Sequence, residues 1–180
     1  MKKTKKLTVS SAVVALGVLF LALGANVGAL DLTAVAMCSL LMVFVYVEIG
    51  SPYTFLVWLA TSLLSLVFFF ASPVWLEYLL LFGIYPVIKG YIERLPRGAW
   101  IITKLVYANL SSYLIILLLE KLLGYPFLTG EPPFGLPVWS VYLAFAVLLN
   151  AAFIIYDIFL NVMLRYYMRK LRHRFSRYLR

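Results

Sequence analysis

The sequence has little charge and very little acid. Charged residues make up 13% of its 180 positions, with seven Asp or Glu against sixteen Lys or Arg. A soluble domain averages about 25% charged residues. There is one histidine, His173, and one cysteine, Cys38. A lone cysteine excludes an intrachain disulfide and leaves the redox compartment open. Metal centres draw on clustered His, Cys, Asp and Glu, and here those residues are few and scattered. No His-Glu-x-x-His, Gly-x-Ser-x-Gly, Gly-rich phosphate loop or paired-acid motif occurs. No nucleophile stands beside an obvious base. These absences predict a chain that is not an enzyme and that carries neither metal nor cofactor.

What the sequence has is apolar length. Hydrophobic residues form 64% of it, against roughly 45–50% in soluble domains. A water-soluble fold of this size has no interior large enough for so much apolar side chain, whereas a bilayer solvates it. A crossing helix needs about 20 mostly apolar residues. Six such runs are predicted, over 9–28, 32–49, 52–71, 74–93, 99–123 and 138–166, followed by a basic tail at 167–180. The fourth is interrupted by Gly83 and Pro86. The connection 124–137 holds Gly124, Pro126, Gly130, Pro132, Pro133, Gly135 and Pro137, which cannot continue a helix. The predicted fold class is all-α: one polytopic membrane domain over residues 1–180. The first apolar run is longer than a signal-peptide core of about 7–15 residues, so it is expected to be retained.

The basic residues set the orientation. Lys2, Lys3, Lys5 and Lys6 precede the first run. Lys89, Arg94, Arg97 and Lys104 bracket the turn between the fourth and fifth. Arg165, Arg169, Lys170, Arg172, Arg174, Arg177 and Arg180 follow the sixth. Six crossings bring all three groups to one side, which the positive-inside rule assigns to the cytoplasm. A five-crossing chain would separate the first group from the last. Both ends are therefore expected in the cytoplasm of a cell that holds this protein in its plasma membrane. The tail interleaves Arg with aromatic residues and is read as a juxtamembrane segment on anionic lipid rather than a nucleic-acid site.

Polar residues within apolar runs are costly and are functional candidates by default. Lys104 and Asp157 fall at similar depth and are expected to form an intramembrane ion pair, with Glu48 on the same side. Asn109 and Asn150 match in depth nearer the middle, where two amides bond across helices or meet a ligand. Toward the outer side, Trp75, Glu77 and Tyr78 open the fourth run, and Trp139 and Tyr142 open the sixth. They read either as interfacial anchors or as a pocket for a small polar-aromatic ligand under a lid formed by 125–137. The first run carries a small-residue face, Ser11-x-x-x-Ala15, with Gly24-x-x-x-Gly28 near its outer end, a spacing that lets another helix approach closely.

The opening Lys5-Lys6-Leu7-Thr8, the face of Ser11 and Ala15, and Leu30-Asp31-Leu32 before the second run resemble the substrate-binding S components of energy-coupling-factor vitamin transporters. Segments such as Phe82-Gly83-Ile84-Tyr85-Pro86 and Tyr156-Asp157 also resemble uncharacterised bacterial membrane proteins. The S-component resemblance implies six helices and cytoplasmic ends. It implies a small-molecule ligand taken from outside, and docking through Ser11 and Ala15 on a transmembrane T component served by an ATPase module. No vitamin-specific signature is present. The size and span number are also similar to the MreD family of cell-shape proteins, so the alternative expectation is a scaffold or assembly protein.

Overall fold

The computed structural model describes residues 3–125 and 137–172. It is an all-α bundle, with no strand among those residues. The helices are α1 (Lys3–Asn26), α2 (Asp31–Glu48), α3 (Ser51–Phe68), α4 (Val74–Glu77), α5 (Tyr85–Ile92), α6 (Arg97–Leu123) and α7 (Val138–Tyr166). A single 3-10 turn joins α1 to α2. π-helical turns span Tyr78–Phe82, between α4 and α5, and Tyr167–Leu171, after α7. Five stretches are long and apolar enough to cross a membrane, with mean hydropathies of 1.5 to 2.3: Lys3–Asn26, Gly28–Glu48, Ser51–Phe68, Gly98–Leu123 and Trp139–Lys170.

Each break has a local cause. Gly50 adopts φ 106°, a conformation that costs other residues a steric clash. It lets α2 reverse into α3 over two residues, while Pro52 occupies the first turn of α3, where no amide donor is required. Pro73 follows the loop after α3. Gly124, at φ 71°, gives α6 a left-handed cap.

The fourth run is interrupted at Gly83 and Pro86, as expected, and the break is wider than a simple kink. After Tyr78 the chain widens to an i→i−5 hydrogen bond, Gly83 N–H donating to Tyr78 O at 2.8 Å, and then turns before Pro86 starts α5. A Cβ on Gly83 would lie 2.5 Å from Tyr78 O and 2.9 Å from the Tyr78 ring, so only glycine fits. Pro86 removes an amide donor and so favours a new helix start. The carbonyls released by the break find side chains on both sides. Trp58 of α3 donates its indole N–H to Leu79 O at 3.2 Å. The Tyr107 hydroxyl of α6 reaches Leu80 O at 2.7 Å and Leu81 O at 2.9 Å. Irregular backbone is tolerated at membrane depth only when it is re-satisfied in this way.

α1 packs closely on α2 and α3. Its buried stripe is Ser10, Val13, Gly17, Leu21 and Gly24, a spacing of three and four that lies on one helix face. Gly17 sits against Cys38 and Thr61, and Gly24 against Ala34 and Val74. The expected face of Ser11 and Ala15 is exposed and points away from the bundle. Gly28 has open space around it, so of the pair Gly24-x-x-x-Gly28 only the first mediates a close approach.

Candidate functional site

The site grows from one face of α5. Tyr85, Lys89 and Glu93 follow each other at intervals of four residues, which stacks them along a helix. α6 brings Lys104 to this face and α7 brings Asp157. The result is a closed ring of charges. Lys89 bridges Asp157 Oδ1 and Glu93 Oε1, the latter at 3.2 Å. Lys104 bridges Glu93 Oε1 at 3.1 Å and Asp157 Oδ2 at 2.9 Å. Tyr85 donates its hydroxyl to Asp157 Oδ1 at 2.6 Å.

Two positive and two negative groups cancel within the ring. That balance is what burial requires. Isolated charges cannot leave water without a large desolvation cost, whereas paired and hydrogen-bonded ones can. The two lysine side chains and Asp157 are largely buried, and Glu93, 33% exposed, is the member nearest solvent.

Behind the ring lies an aromatic floor. Tyr85 stacks on Tyr107 at 5.6 Å between centroids and meets Phe153 edge-on at 4.8 Å. Phe82 meets Tyr156 at 4.7 Å. The Tyr156 hydroxyl donates to Ser39 Oγ at 2.7 Å, which ties α7 to α2. The interrupted segment, α2, α6 and α7 thus converge on one polar-aromatic centre.

The other residues singled out from sequence are dispersed. Asn109 and Asn150 bond each other twice, at 2.8 and 3.2 Å, and each also donates to the carbonyl four residues back at 2.7 Å. Trp75 and Tyr78 are buried, the Trp75 indole donating to Phe70 O at 3.0 Å. Glu77 Oε2 and Asp31 Oδ1 are buried and without a hydrogen-bond partner among the described residues. Trp139, 69% exposed, and Tyr142 lie on the exposed surface of α7. Neither of the two clefts described below is lined by any of the five outer candidates. Most of the expected lid, 126–136, lies outside the described residues, as does His173. Glu48 does not join Lys104 and Asp157. It accepts from the Tyr167 hydroxyl at 3.0 Å and pairs with Arg172 at 3.5 Å, fastening the start of the tail to the end of α2.

Among the described residues, two clefts lie toward the end bearing the ring. One, of about 380 Å³, lies between α3 and α5 beside Phe55, Trp58 and Tyr91. The other, of about 290 Å³, lies between α6 and α7, with Lys104, Asp157 and Glu93 in its wall. Among the described residues no three His, Cys, Asp or Glu side chains cluster as metal ligands would.

No family model matches the chain, and it matches no curated protein and no solved structure. Lys89, Glu93, Tyr85, Tyr107 and Trp58 contribute to the site without having stood out in the sequence. Lys89 had a usable signal, its i,i+4 relation to Glu93. The two aromatic donors had none, since their partners are backbone carbonyls freed only by the break.

Proposed function

We propose that this protein is the membrane-embedded, ligand-binding subunit of a transport system, with the charge ring as its ligand-handling site. The observation that supports this is the interrupted fourth segment, which carries Tyr85 and Lys89 into contact with Asp157. Ionisable groups inside a membrane protein are rare and costly, and substrate paths and relays are among the places that keep them. Discontinuous helices beside such groups are a recurring way to build a transporter site. A solute bearing one charge can take the place of a ring member, and exchange of partners would then loosen α5 from α6 and α7. The sequence has no phosphate-binding loop, so energy must come from a separate module. The resemblance to S components supports that arrangement, and the exposed Ser11 and Ala15 suit a docking face. The positive-inside rule supports cytoplasmic ends in a plasma membrane, which puts the ring in the inner half of the bilayer.

A scaffold role is favoured by one observation: α7 exposes Leu143, Val147, Leu148, Ile155 and Ile158 along its length, a broad surface for another helix. Native mass spectrometry of the protein extracted in mild detergent discriminates the readings. The transport reading expects a small molecule retained by the wild type and released by Asp157→Asn. A protein that retains nothing, and whose membranes yield no ATP-hydrolysing partner in complex with it, supports the scaffold and sinks the transport reading.

A further inference from the structure

We propose that the groove between α6 and α7 binds an acidic phospholipid, one acyl chain lying over Phe153 and the phosphate held at the Asn161–Arg165 mouth. The groove is lined by Trp100, Ile101 and Leu105 on α6 and by Phe153, Ile154 and Asn161 on α7, with the ring members Glu93, Lys104 and Asp157 in its wall. Its form is amphiphilic along its length. Phe153 is buried at the floor, while Ile101 and Ile154 stand exposed on the two rims. The apolar end stops where Asn109 and Asn150 clasp each other, one turn beyond Leu105 and Ile154.

The polar end follows from helix register. Ile154, Asp157, Asn161 and Arg165 are spaced by three, four and four residues, which puts them on one stripe of α7. The stripe spans about 16 Å at 1.5 Å per residue, enough for a headgroup and the first part of a chain. The Arg165 Nε–H donates to Asn161 O at 3.3 Å, which lays the side chain back along that stripe.

Charge selects the headgroup. Lys89, Glu93, Lys104 and Asp157 sum to zero, so the field at the mouth is set by what lies outside the ring. There Arg165 is exposed, and Arg169 and Lys170 follow on the next turn. Basic residues just beyond the end of a membrane helix attract anionic headgroups, and Trp100 supplies the amphipathic ring common at the headgroup level. A zwitterionic lipid gains nothing from the excess positive charge, and free phosphate gains nothing from the apolar floor. The proposal uses the site described above but does not need the transport reading, since a scaffold would hold such a lipid equally well.

The test uses the full chain, delipidated in neutral detergent. Thermal unfolding is followed with added phosphatidylglycerol, phosphatidylcholine or inorganic phosphate. Phosphatidylglycerol is expected to raise the melting temperature, and the other two are not. Ile154→Trp fills the groove from an exposed rim, and Arg165→Gln removes the mouth charge. Both should fold and bind phosphatidylglycerol more weakly, Arg165→Gln about fivefold, the factor that one basic residue near an anionic surface confers. An equal response to phosphatidylcholine, a response to phosphate alone, or an undiminished response in both variants would overturn the proposal. So would a response lost in Arg169→Gln/Lys170→Gln but kept in both groove variants, which would locate binding on the tail. A lipid response in protein that copurifies with no ATP-hydrolysing module keeps this proposal while the transport reading fails.

Discussion

Asp157 is the side chain on which the charge ring closes. It accepts from Lys104, Lys89 and Tyr85, so replacing its carboxylate with an amide leaves two buried ammonium groups with Glu93 alone. Breaking one partner out of a buried pair costs about 3–5 kcal/mol, because the remaining charge is stranded. Asp157→Asn should therefore lower unfolding stability in mixed micelles by about that amount. Removing an opposite pair is different. Glu93→Gln with Lys104→Met leaves the Lys89–Asp157 bridge intact, and the double variant should lose less than the sum of its two singles. Asn109→Ala provides the contrast, since hydrogen bonds between membrane helices average about 0.6 kcal/mol and rarely exceed about 1.7. If Asp157→Asn costs no more than Asn109→Ala, the ring is not an electrostatic unit.

The interrupted element from α4 to α5 depends on a glycine and on donors supplied by its neighbours. Gly83→Ala forces a methyl group against the Tyr78 carbonyl and ring. Overpacking of this kind costs typically 1–3 kcal/mol. Tyr107→Phe keeps the stacking on Tyr85 but leaves Leu80 O and Leu81 O without their donor, a loss of about 1–3 kcal/mol. Both should appear in unfolding experiments, and the Tyr107 change should also speed hydrogen exchange in the 78–92 segment. Equal exchange would mean that the freed carbonyls find other donors. This element also shows how far the sequence could be read. Hydropathy located the long helices to within a few residues, apart from the basic start of α1, and Gly83 and Pro86 were visible as breakers. Which way each helix faces was not legible. α1 is apolar on every side, so nothing distinguished the exposed Ser11 and Ala15 from the buried Ser10 and Gly17. Lys89 stands near the end of an apolar run beside Glu93 and Arg94, where a charge reads as interfacial, although its ammonium turns inward to Asp157. The outer aromatic residues were close in predicted depth, but depth does not fix rotation about the helix axis.

At the scale of the whole molecule, the number of crossings turns on the interrupted segment. Residues 74–92 would extend about 28 Å as continuous helix, close to the hydrocarbon thickness of about 30 Å. Counted as a crossing, this segment makes six with the five long helices, and the basic groups at the start of α1, at Lys89–Arg94 and after α7 fall on one side. Left uncounted, it makes five, and the ends of the chain fall on opposite sides. The pairing of Glu48 with Tyr167 and Arg172 bears on this choice, because it holds the ends of α2 and α7 at the same level. α2 and α7 must then run in the same direction, which requires an even number of crossings from the end of one to the end of the other. With α3, α6 and α7 alone that number is three, and with the interrupted segment it is four. The expected outcome is thus six crossings, and single cysteines in a Cys38→Ala background check it. Cysteines at Thr4, Arg94 and Arg169 should all resist an impermeant thiol reagent added outside intact cells, while those at Val27 and Tyr125 should react. Opposite labelling at Thr4 and Arg169 would remove the fourth crossing, and with it the placement of the charge ring in the inner half of the bilayer.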